Sequence, residues 1–238
     1  MVRVLKFRGW SITSYAVVNC RQDYINPEVH SNFQKMAIST IIFDLGGVLI
    51  DWNPEYVYQH VIPDPERRRY FFENICTHDW NVEQDAGRPL AEATELLVGQ
   101  HPEWESEIRD YYGRWEEMLG GPIHDTVSVL QELRDRKAQR LLALTNWSGE
   151  TFPVALSRYD FLHWFEGIVV SGDEKTRKPF ADIYQTLLRR YEVDASEAVF
   201  IDDSLKNIEG AAAVGIGGIH FQNADQLRKN LLDLGLLG

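Results

Sequence analysis

The sequence predicts an α/β fold: a Rossmann-like, doubly wound parallel sheet of about five strands, with a helical cap inserted after the first. Three observations lead there. Short, nearly continuous apolar runs recur from residue 40 onward, at 40–44 (TIIFD), 140–145 (RLLALT), 167–171 (GIVVS), 198–202 (AVFID) and 217–221 (GGIHF). Such runs suit strands buried on both faces of a parallel sheet. Segments with helical spacing separate the later runs, which is the alternation of a doubly wound fold. Between residues 52 and 121 there is no strand signal, only helical stretches punctuated by Pro and Gly.

Taken in order, each helix has a local reason. Pro54, Pro65, Pro89 and Pro102 each open a candidate helix of the inserted block. The longest expectation runs from Pro102 to Leu119, with Trp104, Ile108, Tyr111, Trp115 and Met118 on one stripe. Pro122 suits a first helical turn ahead of Ile123, Val127, Leu130 and Leu133. Ile183, Leu187 and Tyr191 repeat at the same spacing after Lys178-Pro179. Ser204 is placed to N-cap a helix carrying Ile208, Ala211 and Ala212. Asn223 is placed to cap the last, with Leu227, Leu231 and Leu234 facing inward. The expected organisation is a core of 40–52 and 121–238, a helical cap over 53–120, and an extension over 1–39.

That extension differs in charge from the rest. It carries five Lys/Arg against two Asp/Glu, hence +3, in a chain whose net charge is −12. The favoured reading is a disordered or non-native tail, with Met36 as the natural start, over that of a basic targeting segment.

The acidic balance argues against a nucleic-acid backbone as partner. No run approaches the ~18 apolar residues that a membrane-spanning helix needs. Two cysteines, Cys20 and Cys76, form neither a disulfide framework nor a zinc motif, so a reducing, cytoplasmic setting is expected. The seven histidines form no close pair with metal-ligand spacing.

Ligands of open parallel sheets bind at the carboxyl ends of the strands, so the residues just past each run carry the chemistry. The first run delivers Asp44, the second Thr145 and Asn146, the loop beyond the third Lys178, and the fourth Asp202 and Asp203. A carboxylate, a hydroxyl, a lysine and an acidic pair on one edge suit attack on a phosphorus or carbon centre beside a hard cation. Adjacent carboxylates after a buried strand repel each other unless a cation or proton intervenes. In the cap, Asn81, Asp85 and Arg88 of WNVEQDAGR crowd around a Gly, and either pocket-facing or capping roles fit. Trp52 and Trp147 fit pocket lining or hinge packing equally, and Asp51 is expected in the turn to the cap.

These four stretches, in this order, resemble the four motifs of the haloacid dehalogenase-like hydrolase superfamily, over residues 40 to about 222. The resemblance implies a nucleophile at Asp44, and a phosphate-binding hydroxyl at Thr145 assisted by the backbone N–H of Asn146. It implies a charge-neutralising lysine at Lys178 and Mg²⁺ held by Asp44, the Gly46 carbonyl, Asp202 and Asp203, with Asp203 the more direct ligand. The implied activity is Mg²⁺-dependent hydrolysis of small phosphate monoesters through an aspartyl phosphate. Its alternatives are metal-independent 2-haloacid dehalogenation and a catalytically weakened phosphate- or metal-binding protein. Dehalogenases of the family usually carry an aromatic residue where this chain has Gly46, and lack the double acid. Some sugar-1-phosphate phosphatases share the Gly, which makes sugar phosphates the first expected substrates. Most phosphatases of the family have an aspartate there whose side chain protonates the leaving group. Gly46 keeps the carbonyl and loses the acid, so leaving groups needing little proton help are expected.

Overall fold

The computed structural model describes Val17–Val18 and residues 38–238. The reading of residues 1–39 as an extension otherwise lies outside the described residues.

The central sheet is parallel and holds β1 (Val17–Val18), β2 (Thr40–Phe43), β5 (Arg140–Thr145), β6 (Gly167–Val170), β7 (Ala198–Asp202) and β8 (Gly217–His220). Its order is β1-β8-β7-β2-β5-β6. All five predicted strands are present, and Val17–Val18 adds a sixth at the edge, paired with Gly218 and Ile219. Alternation along β2 explains why its apolar run is continuous. Ile41 and Phe43 join one core, with Leu141, Ala143, Leu130 and Leu227, while Ile42 joins another with Leu142, Leu144, Ile183 and Ile208. Each such side chain contributes about 1.5–3 kcal/mol by leaving water.

From β2 the chain winds outward through β5 and β6, then crosses back to place β7 on the other side of β2. The direction of winding therefore reverses beside β2, and the loops after β2 and β7 diverge there to leave a crevice at the strand ends.

The inserted block holds α1 (Glu55–Val61), α2 (Pro65–Asn74), α3 (His78–Asp85), α4 (Leu90–Gln100) and α5 (Glu105–Gly113). Its core forms around Tyr58, whose ring lies 4.9 Å from Phe71 and 5.1 Å from Phe72. The stripe from Trp104 to Met118 is buried as expected. The single helix expected over it is not formed. A 3-10 turn at Pro102–Trp104, α5, and a second 3-10 turn at Trp115–Met118 replace it. Gly113 ends the α-helical stretch, consistent with its poor helix propensity.

Two further corrections concern the crossings between core and cap. Leu119–Pro122 is a strand, β4, antiparallel to β3 (Ile50–Trp52), where the sequence predicts none. Pro122 therefore ends a strand and does not begin a helix; α6 starts at His124 and runs to Arg136. Asp51 sits in this ribbon opposite Gly121, not in a turn, and its carboxylate accepts a 2.5 Å hydrogen bond from Tyr56.

The remaining helices are α7 (Phe152–Arg158), α8 (Ser171–Glu174), α9 (Ala181–Arg190), α10 (Leu205–Ala213) and α11 (Ala224–Asp233). Asn223 caps α11 through the Gln226 N–H, as expected. Leu227 and Leu231 are buried, but Leu234 lies past the helix end and is exposed. Ser204 occupies the N-cap of α10 without a side-chain cap; its own N–H instead donates to Asp202 Oδ1 at 2.8 Å. Among the described residues no helix is long and apolar enough to cross a membrane.

Candidate active site

The loop after β2 turns tightly. Gly47 N–H donates to the Ile50 carbonyl (2.9 Å) and Ile50 N–H to the Leu45 carbonyl (2.9 Å). Gly47 has φ +72°, and a Cβ there would lie 2.5 Å from Asp203 Oδ2, so both backbone and space require glycine. Gly46 differs, since a Cβ there would meet nothing within 4 Å.

This turn presents Asp44 to Lys178. The ammonium of Lys178, only 1% exposed, lies 2.8 Å from Asp44 Oδ1 and 2.7 Å from Asp202 Oδ2. Asp44 Oδ1 also accepts from Leu45 N–H at 2.7 Å, whereas Oδ2 accepts from none of the described residues. Asp202 is fully buried and saturated: Oδ1 accepts from Ser204 N–H, and the Asn207 amide reaches Oδ1 at 3.0 Å and Oδ2 at 3.1 Å. Asn146 clamps the lysine's main chain from both sides. It accepts from Lys178 N–H (2.8 Å) and donates to the Lys178 carbonyl (3.1 Å). The Thr145 hydroxyl, at the end of β5, is buried without a partner. An orphaned buried hydroxyl costs about 1–3 kcal/mol, which a ligand oxygen would recover.

The electrostatics are unbalanced. Burial pushes the Asp44 carboxyl well above the usual carboxylate range; Lys178 pulls it back, while Asp202 and Asp203 push it further. Burial and Asp202 also raise Asp203. Desolvation works against the Lys178 ammonium, but Asp202 and Asp44 outweigh it and hold its pKa above that of a free lysine. Lys178 is thus shared between two carboxylates, and Asp44 is left short of positive charge. One lysine faces three carboxylates, a deficit of two charges. Asp44, Asp202 and Asp203 each offer an oxygen within 4.8 Å of the others. Hard oxygen donors around a double positive deficit fit a divalent metal ion.

The model of the haloacid dehalogenase-like hydrolases matches residues 38–215. The chain belongs to this family. A sesquiterpene phosphatase of Aspergillus oryzae is 28% identical over 183 residues, covering 77% of this chain and 89% of that protein. A phosphorylated carbohydrates phosphatase of Thermotoga maritima is 25% identical, covering 77% and 84%. A family enzyme of Bacteroides thetaiotaomicron, solved as a magnesium complex, has the same fold. Its TM-score is 0.62 at 21% identity, over 82% of this chain and 98% of that one.

In this haloacid dehalogenase-like hydrolase, Asp44, Lys178, Asp202 and Asp203 converge directly, with Thr145 at the neighbouring strand end. Trp147 packs on Trp115 (5.6 Å) and Phe152 (5.8 Å) and so belongs to the packing between cap and core. Two supporting residues are not singled out by the sequence. Asn207 lies one turn into α10, and Ser171 closes the apolar run of β6. The Ser171 hydroxyl accepts from Trp147 N–H (2.9 Å) and donates to the Asp85 carbonyl (2.5 Å). A polar residue at the carboxyl end of a buried strand is the trace that could have marked it.

Proposed function

We propose that this hydrolase is a Mg²⁺-dependent phosphatase of small phosphate monoesters, with sugar phosphates the first class to test. The observation that carries this reading is the buried Lys178 bridging Asp44 and Asp202, beside a third carboxylate, Asp203. A halide displacement needs no cluster of three acids; a phosphoryl transfer beside a metal ion does. The phosphatase names of the relatives support it.

Asp44, Asp203 and the Gly46 carbonyl would hold the cation, with Asp202, already saturated, shaping the site from behind. When bound, Mg²⁺ supplies the missing positive charge to the carboxylates and to the phosphate oxygens. Two donors fix Asp44 Oδ1, which leaves Oδ2 to attack phosphorus in line. The Thr145 hydroxyl and the Asn146 N–H hold phosphate oxygens, and Lys178 offsets charge on the nucleophile and the transferred group. Water then hydrolyses the acyl phosphate on Asp44.

Phosphate release from a panel of sugar phosphates, terpenoid phosphates and p-nitrophenyl phosphate should require Mg²⁺ and stop with EDTA. Metal-independent halide release from 2-chloropropionate would overturn the reading. Mg²⁺ should also raise Tm. At a hundredfold excess over Kd the gain is about 2.7 kcal/mol, or roughly 5–10 °C for a chain of this size. Asp203→Asn should remove most of that shift in a thermal melt.

A further inference from the structure

Gly46 has no side chain that could protonate a leaving group, and the cap brings up another carboxyl. Asp85 ends α3, at the seam between cap and core. Its carbonyl is tied by the Ser171 hydroxyl to Trp147 N–H, two residues past Thr145. Its carboxyl lies close enough to the backbone N–H of Ser148, and to Arg177 and Lys178 in the loop after α8, for all three to pull its pKa down. Two residues on, Gly87 has φ +96°, and a Cβ there would lie 2.7 Å from the Gly172 carbonyl. At this point cap backbone thus lies close against core backbone. The seam opens to solvent in a cleft lined by Arg88, Ser148, Gly149 and Asp173.

A partly buried chain of hydrogen bonds inside the cap leads to the same carboxyl. Arg88 Nε donates to Gln84 (2.7 Å), Gln84 to the Tyr112 hydroxyl (3.1 Å), and Tyr112 to Asn81 (3.0 Å). The Asn81 amide closes the chain on Asp85 Oδ2 at 3.4 Å. That last contact is long, so Oδ2 is aimed but weakly engaged.

We infer that Asp85 protonates the leaving-group oxygen, doing from the cap what no side chain at Gly46 can do. This rests on the phosphatase reading above. As Asp44 attacks phosphorus, the bond from phosphorus to the ester oxygen breaks and its electron pair stays on that oxygen. The oxygen takes the Asp85 proton and leaves as the alcohol. In the second half, the Asp85 carboxylate takes a proton from the attacking water. The bond from phosphorus to Asp44 then breaks with its electron pair returning to Asp44. Phosphate leaves and both residues are restored.

The surroundings suit the task. Burial pushes the Asp85 carboxyl up to about 7, against the pull of Arg177, Lys178 and the Ser148 N–H. Tyr111 and Tyr112 on α5, and Arg88 beyond its own helix, are further ionisable groups around it. A donor with a pKa near working pH is the most effective general acid.

The test compares p-nitrophenyl phosphate, whose leaving group needs no proton, with propyl phosphate, whose leaving group does. Asp85→Asn should lower kcat/KM about 10²–10⁴-fold on propyl phosphate and less than about fivefold on p-nitrophenyl phosphate. Donation requires the protonated acid, so the unmodified enzyme should lose propyl phosphate activity as pH rises through about 7. The variant should lack that limb. Adding Gly46→Asp, for which there is room, should recover at least about tenfold of the loss. Equal losses on both substrates would overturn the assignment. Should the variant not fold, the unmodified chain decides. A shallow dependence of kcat/KM on leaving-group pKa across aryl and alkyl phosphates supports a donor, and a steep one refutes it. Failure of the unmodified enzyme to release phosphate from any of them with Mg²⁺ would overturn the phosphatase reading itself.

Discussion

Asp44→Asn should abolish turnover of p-nitrophenyl phosphate, lowering kcat on the order of 10³–10⁶-fold, in a protein that melts no lower than the unmodified one. The two halves of this expectation have one cause. Asp44 is the carboxylate left short of positive charge when no cation is bound, pushed up by burial and by its acidic neighbours. An amide keeps its shape, and its oxygen can still accept from Leu45 N–H and Lys178. It removes one of the mutually repelling charges, which favours the fold. On the proposed mechanism it also removes the carboxylate that would form the acyl phosphate. Steady-state assays beside thermal melts check both, and a variant retaining a tenth of kcat would exclude Asp44 as the nucleophile.

Lys178→Met should damage stability and activity together. Methionine matches the stem of lysine but leaves Asp44 and Asp202 facing each other with no cation between them. Breaking a buried ion pair from one side costs about 3–5 kcal/mol, or roughly 6–20 °C in Tm for a chain of this size. The sign of its pH dependence comes from Asp44, whose carboxyl burial pushes up to about 8 even with Lys178 pulling it back, and which would rise further without the lysine. Stability present below its unfolded pKa is lost as pH rises through the folded one, and the two proteins part above about 8, so the deficit should be larger at pH 9 than at pH 5. Mg²⁺ should recover part of it. Denaturant melts at the two pH values measure this; equal deficits would show that the lysine stem, and not its charge, holds the site.

The legible parts of this molecule are those set by local pattern. Five apolar runs are five strands of one covered parallel sheet, and Ile41, Ile42 and Phe43 show the central one buried on both faces. The residues after those runs meet because parallel strands bring their carboxyl ends to one edge. β4 is hidden because Leu-Gly-Gly-Pro has poor strand propensity and exists as a strand only through its pairing with β3. Ser171 and Asn207 are hidden for a different reason. Their partners are distant or set by the fold: the hydroxyl of Ser171 serves a carbonyl 86 residues away. Asp85 stands in view within a polar cluster, but an aspartate that caps a helix and one that lies at the seam between two parts of a fold look alike in one dimension.

The ribbon of β3 and β4 bears on how such an enzyme can change. Trp52 and Leu119 are register partners, so the chain leaves the core and returns to it at points about 5 Å apart. Closing a loop across so short a gap costs little more when the loop is long, since the entropic penalty grows only with the logarithm of length. Everything between those partners is therefore a graft on a closed stem. It can be lengthened, shortened or exchanged while the sheet, the lysine and the three carboxylates stay where they are. New specificity can be acquired there without rebuilding the nucleophile and the charges that surround it.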